Sequence, residues 1–252
     1  MATDSARGLG HEAGTIALLW GLRSPPRRGP KPTLTLDQIA EAAVDIADAD
    51  GLTAVSMQRV AAEFDVTKMA LYRYVASKAE LLAVMIEAAA GDTPDLDRVP
   101  GGWRPKLREW ARRMWETWDR HPWLPGATVG DREMGPRELA WTECAVAALV
   151  GTGLDGREQL DAVFTLSGHI RNTQSMSTAG TQPWTTERQL ELLREHGEDF
   201  PALTAAVDAS PGDNDHAREF GLELILDGLD LLIGRRRAGS SRPRRQQHHP
   251  PG

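Results

Sequence analysis

The sequence predicts an all-α protein: a small N-terminal unit of three to four helices, followed by a larger helical unit. Three observations lead there. Apolar residues recur at intervals of three and four in segment after segment. Hydroxyl side chains open several of these segments, and glycine or proline closes them. No series of runs shows the two-residue alternation of a strand, and no internal repeat is present. The 252 residues suffice for a small domain joined to a larger one. With 40% hydrophobic and 26% charged residues, the composition is that of a folded, soluble chain.

Residues 1–32 are rich in Gly, Pro and Arg and read as a basic, flexible arm. Ile16-Ala17-Leu18-Leu19-Trp20 is far short of the ~20 apolar residues a membrane span needs. Glu12 stands before it, where a signal peptide carries bases. Order is expected from Thr35-Leu36-Asp37-Gln38, a capping box. Ile39, Ala42, Ala43, Ile46 and Ala47 then repeat at helical spacing until Gly51 stops the helix. A short helix follows the Ser56 cap, with Met57, Val60 and Ala61 inward, and Phe64-Asp65-Val66 breaks it. Thr67 caps the next, from Lys68 to about Val75. Ser77-Lys78-Ala79-Glu80 is a second capping box, opening a helix that buries Leu81, Leu82, Met85, Ile86 and Ala89 and ends at Gly91. This first unit spans residues 33–92 and is too small to hold much core alone.

The larger unit spans residues 93–235. Trp103, Leu107, Trp110, Met114, Trp115 and Trp118 recur at helical spacing before His121-Pro122-Trp123 turns the chain. Further helices are expected at about 136–150, 157–179, 185–196 and 214–234. The last carries Phe220, Leu222, Leu224, Ile225, Leu226, Leu229, Leu231, Leu232 and Ile233. It is apolar nearly all round, which calls for burial on two sides. Gly221 and Gly228 would admit a partner helix closely. Residues 236–252 read as a disordered basic tail.

The formal net charge of −7 opposes binding an anion, but the charge is segregated. Arg23, Arg27, Arg28 and Lys31 form one acid-free stretch, and Arg235, Arg236, Arg237, Arg242, Arg244 and Arg245 cluster at the other end. Both also read as solvated tails. Residues 56–75 meet the demands of a helix-turn-helix: two short helices, a tight turn, and small or branched residues (Ala61, Val66, Leu71) at the joint. The second helix exposes Thr67, Lys68, Ala70, Tyr72, Arg73 and Tyr74 and has no acid. Hydroxyls and cations are the donors that phosphates and base edges accept. Both tyrosines of the chain lie here and none of its eight tryptophans does. Tyrosines on a short surface helix can also simply cap a small core.

The run from Leu34 to Ala90 resembles the DNA-binding domain of the TetR family of repressors. The likeness rests on Thr67-Lys68-Met69-Ala70-Leu71-Tyr72-Arg73-Tyr74-Val75 followed by Ser77-Lys78 and Leu81-Leu82. Arg27-Arg28-Gly29-Pro30-Lys31-Pro32 resembles the arm of many members, and residues 220–229 resemble the end of a tetracycline-repressor-type C-terminal domain. The resemblance implies base-edge contacts from Gln58, Thr67, Lys68 and Met69. It implies phosphate contacts from Ser56, Tyr72, Tyr74 and Lys78, with Arg73 touching backbone or base. Where the family turn usually carries glycine, this chain has Asp65, which tolerates a left-handed conformation with some strain. The resemblance also implies a homodimer joined through the last helix, here by Phe220, Leu222, Ile225, Leu229 and Leu232. Two recognition helices per dimer match a palindromic operator on double-stranded DNA.

An unidentified, hydrophobic small-molecule ligand is implied as the releasing signal. Trp115, Trp118, Trp123, Trp141, Phe164, Met176 and Trp184 could line its cavity, with His169, Arg171, Asn172 and Gln174 as polar anchors; tryptophan at helical spacing also reads as core. The expected function is that of a repressor released by its ligand, the alternative being an activator or a ligand-independent DNA-binding factor. Enzymatic activity, cofactor and metal are not expected. Gly151-Thr152-Gly153-Leu154-Asp155-Gly156 spells a dinucleotide fingerprint but follows no strand, so it reads as a helix–helix loop. His248-His249 lack spaced partner ligands. The single cysteine, Cys144, lies in an apolar helical run and fits a reducing, cytoplasmic setting.

Overall fold

The computed structural model describes residues 13–22, 34–176, 187–209 and 214–240. Among them are twelve α-helices, two short 3₁₀ turns and no strand. In order they are α1 (13–19), α2 (Leu36–Asp50), α3 (Met57–Ala62), α4 (Lys68–Leu71), α5 (Lys78–Ala90) and α6 (Trp103–Arg120). Then come α7 (Leu124–Ala127), α8 (Pro136–Leu149), α9 (Gly156–Met176), α10 (Glu187–Glu195), α11 (Pro201–Asp208) and α12 (Asn214–Ser240). No helix among the described residues is long and apolar enough to cross a membrane.

The chain divides into two compact units, the first comprising residues 1–95 and 112–144, the second 96–111 and 145–252. Helix α6 contributes its N-terminal half to the second and its C-terminal half to the first.

In the first unit, α2 opens on the expected capping box: Thr35 Oγ1 accepts from the Gln38 N–H at 3.2 Å, and Gln38 Oε1 accepts from the Thr35 N–H at 2.9 Å. Gly51 ends it with φ 81° and donates to the Ala47 carbonyl at 2.9 Å. Ile39, Ala40, Ala43, Val44, Ile46 and Ala47 of α2 are buried, as are Leu81, Val84, Met85, Ile86 and Ala89 of α5. Met57, Val60, Ala61, Leu71 and Val75 complete the core of this small module. Ser77 caps α5 by accepting from the Glu80 N–H at 3.1 Å. The buried Glu80 carboxylate reaches one residue further back than a capping box requires, to the Ala76 N–H at 2.7 Å.

Residues 112–144 give the module much of its remaining support. Asp48 on α2 accepts from the Trp123 indole N–H at 2.7 Å and faces His121 Nδ1 at 2.8 Å. Glu87 on α5 accepts from the backbone N–H groups of Arg137 and Glu138 at 2.9 and 3.1 Å, filling the donor positions that open α8. Its carboxyl lies where a side chain at Gly135 would stand, so any larger residue there would have to push Glu87 off its two donors. Burial pushes the Glu87 carboxyl above its ordinary pKa, against the lowering effect of the two N–H donors.

Three expectations are corrected here. Order does not begin at residue 35: residues 13–19 form α1, which buries Leu18. Leu18 and Leu19 border a cleft of about 180 Å³ shared with Leu36, Ala40, Val84 and Pro136. At the other end, α12 runs to Ser240, so the tail expected from 236 starts as helix. Arg236 pairs there with Glu158 of α9. Helices α7 and α11 were also not expected; each carries proline in its first turn, where the missing N–H costs nothing.

The second unit is built on α9 and α12. Ala162, Val163, Leu166 and Ile170 of α9 are buried, as are Leu222, Leu226, Leu229 and Ile233 of α12. The His169 ring occupies the space a side chain at Gly221 would need and lies 2.9 Å from the Arg218 carbonyl, to which Nε2–H donates. Arg104 of α6 holds Glu223 and Asp227 at 2.7 and 2.6 Å, and Arg108 also pairs with Glu223. Both carboxylates raise the already high pKa of Arg104. In the fingerprint-like segment, residues 151–155 lie in the α8–α9 loop, with Gly151 and Gly153 at φ 77° and 96°, and Gly156 opens α9.

Candidate nucleic-acid interface

The helix-turn-helix forms because its caps and its joint are locally encoded. Ser56 caps α3 by accepting from the Arg59 N–H at 3.2 Å, and Thr67 caps α4 by accepting from the Ala70 N–H at 3.3 Å. Each hydroxyl keeps its proton for donation outward. Between the helices, the Phe64, Asp65 and Val66 N–H groups donate to the carbonyls of Ala61, Ala62 and Ala61. This tight path puts Asp65 at φ 52°, and among the described residues no other non-glycine residue has positive φ. Regular helix stops at Leu71, earlier than expected, and the chain continues to Val75 as hydrogen-bonded turns.

Of the nine residues assigned to DNA contact, Ser56, Gln58, Thr67, Lys68, Met69, Tyr72, Arg73 and Lys78 are exposed and Tyr74 is half-buried. Leu71 and Val75, between them in sequence, are fully buried. The short α4 therefore turns its apolar side inward, onto α3, and keeps a face of hydroxyls, cations and one thioether outside. Arg59 is engaged by Asp50, which leaves Lys68, Arg73 and Lys78 as the positive charges of this face.

The residues expected to line a ligand cavity are dispersed. Trp115, Trp118 and Trp141 are buried in the first unit. The Trp141 indole donates to the Ala90 carbonyl at 3.1 Å and borders a cleft of about 290 Å³ with Asp92, Asp95, Arg113, Glu116, Thr117 and Arg120. Phe164 of the second unit is 63% exposed and Asn172 is exposed, so neither lies in a cavity of its own unit. His169 is a packing residue against Gly221 rather than a free anchor. The Met176 side chain, Trp184 and His248-His249 lie outside the described residues. Cys144 is half-buried, with Sγ directed at the Trp141 carbonyl.

The dimer set is also divided. Leu222 and Leu229 are buried within their own unit, while Phe220 is exposed and Ile225 and Leu232 are half-buried. Leu224 and Leu231, not in that set, are exposed on α12. Sequence reasoning also passed over Asp48, Glu87 and Gly135. His121-Pro122-Trp123 registered as a turn, with no sign in the local pattern that its two aromatic rings seek a carboxylate on α2.

Comparison with known proteins agrees with this geometry. Residues 35–85 match the family model described as "Bacterial regulatory proteins, tetR family", and residues 93–233 match "Tetracyclin repressor-like, C-terminal domain". The chain is 37% identical over 248 residues to the HTH-type transcriptional repressor DrrR1 of Streptomyces coeruleorubidus, covering 93% of this chain and 91% of that protein. Identity is 26% over 207 residues to an HTH-type transcriptional regulator of Saccharopolyspora erythraea, covering 81% and 88%. Apo ActR of Streptomyces coelicolor superposes with TM-score 0.70 at 26% identity, covering 82% of this chain and 99% of that one. ActR in complex with actinorhodin superposes with TM-score 0.67 at 25% identity, covering 82% and 100%. The chain belongs to the tetR family of bacterial regulatory proteins and is a DNA-binding transcriptional repressor, not an enzyme.

Proposed function

We propose that the protein acts in the cytoplasm as a homodimer on a palindromic operator, with α4 of each protomer in the major groove, and that a small hydrophobic ligand releases it. The observation that carries this reading is the α3–α4 face: cations, hydroxyls and an amide stand exposed over a fully packed joint. Gln58, Thr67, Lys68 and Met69 take the base edges, Ser56, Tyr72, Tyr74 and Lys78 take the backbone, and Arg73 takes backbone or base. Residues 33–92 are the DNA-binding part and 93–235 the ligand-binding and dimerisation part.

Dimerisation draws support from the exposed apolar residues Phe164 on α9 and Phe220, Leu224 and Leu231 on α12. Gly228, on the same helix, has open space where a side chain would stand. Ligand release draws support from ActR, a structural relative crystallised with actinorhodin and with (S)-DNPA. Such a ligand releases the operator only through its differential affinity for the non-docking state. The reading is tested by footprinting purified protein on the DNA around its own gene. A short protected palindrome is expected, with affinity falling steeply as salt rises. Binding without a protected site would refute the operator reading.

A further inference from the structure

From Leu34 to Thr128 every residue is described, and only two large hydrophobic side chains there are exposed: Met69, at 66%, and Tyr72. Tyr72 carries a hydroxyl that a phosphate can accept from; Met69 has no comparable donor. It stands second in α4, directly after Lys68 and two residues after the Thr67 cap. The N-terminal residues of a recognition helix are the ones that reach base edges. The side chain thus sits at the tip of the docking face, ringed by Thr67, Lys68, Tyr72 and Arg73, all exposed and polar or charged.

Docking removes Met69 from water, and a thioether satisfies neither a base donor nor a base acceptor well. In the major groove the four base pairs present hydrogen-bonding groups and a single kind of apolar group, the thymine C5-methyl. We propose that Met69 reads a thymine methyl, so that each operator half-site carries a thymine at the position under Met69. Met69 is then a specificity-determining residue, with Lys68 beside it suited to guanine O6 and N7. This inference rests on α4 being the recognition helix, as proposed above.

The test replaces thymine by deoxyuridine, which deletes the methyl and keeps every hydrogen-bonding group of the base. The operator is first selected from random duplexes with the full-length protein, and each thymine of the half-site is then replaced in turn. One position per half-site is expected to lose affinity about fourfold, equivalent to about 0.8 kcal/mol at about 1.4 kcal/mol per tenfold. Replacement in both half-sites is expected to cost about 15-fold. Met69→Ala should flatten that position to within about 1.5-fold, and Met69→Leu, equally apolar, should retain the preference. The Leu variant also shows that loss in Met69→Ala does not come from misfolding of α4.

The inference is overturned if no thymine is sensitive to methyl removal, or if the sensitive position persists in Met69→Ala. The latter outcome would move the contact to another group, such as the Thr67 methyl. Failure to select any operator would instead refute the reading of α4 as a recognition helix, and this inference with it.

Discussion

Asp65 holds the turn between α3 and α4 at φ 52°, where a Cβ crowds the following carbonyl. For most L-residues that conformation costs about 1–2 kcal/mol relative to glycine, and for Asp less, because its short side chain bonds locally. Asp65→Gly removes the crowding but adds about 0.5–1 kcal/mol of unfolded-chain entropy, leaving a net gain of a few tenths of a kcal/mol. Asp65→Ala keeps the Cβ but lacks the tolerance of a left-handed φ that Asp shares with Asn, and is expected to cost about 1 kcal/mol. The two variants should therefore differ by about 1–1.5 kcal/mol, with the wild type nearer to glycine. At a slope of about 2–3 kcal/mol per molar urea, the midpoints separate by about 0.5 M. Asp65→Asn tolerates the same φ and isolates the carboxylate charge, so its midpoint should follow the wild type. Urea unfolding followed by tryptophan fluorescence and far-UV dichroism reads the series. An alanine variant within about 0.1 M of wild type, or a glycine variant as the least stable member, would refute the reasoning.

Lys78→Ala should weaken binding to specific and random duplexes alike and reduce the slope of log affinity against log salt by about 0.9 per protomer; an unchanged slope would remove Lys78 from the phosphate contacts. Glu87 has a folded-state pKa above its unfolded value, so its ionisation disfavours the fold. That penalty is absent below the ordinary value of 4.5, builds as pH rises from there, and is complete above the raised value. The stability of the wild type relative to Glu87→Gln should therefore rise on acidification from neutral pH, and a difference independent of pH would contradict the assignment. Gly221→Ala should destabilise the second unit by about 1–3 kcal/mol through overlap with His169. Gly221→Ala combined with His169→Ala should recover part of that loss, and strict additivity in thermal unfolding would show that the ring is not the obstacle.

Legibility in the sequence followed the range of the interactions. The Thr35–Gln38 box, the Gly51 stop and the Ser56 and Thr67 caps are bonds between residues three or four apart, and the sequence displays them directly. The α3–α4 face was legible for the same reason, since two short capped helices with a known joint fix which residues face out. Helix α1 was not, because Ile16 to Trp20 is a short run between residues of loop character. Its helical state follows from packing that places Leu18 within the first unit. On α12, apolar residues nearly all round gave no clue to which stripe meets α9. Leu222 and Leu229 therefore read as equivalent to Phe220, although the structure buries the first two and exposes the third. Tryptophan spacing indicated burial for Trp115, Trp118 and Trp141 but carried no information on what shares the space.

Regulators of this kind are natural stock for chimeras, in which one DNA-reading head is joined to another sensor. A junction in the loop after α5 looks inviting, since the four helices from α2 to α5 end there. Asp48 and Glu87 make that cut costly. Severed at residue 92, a transplanted head would lose His121, Trp123 and the backbone donors of Arg137 and Glu138. It would present two stranded carboxylates to a foreign surface, one of them on the helix that runs into the junction. A portable head brings residues 112–144 with it, Gly135 included, and a hybrid that omits them must supply its own donors to both acids.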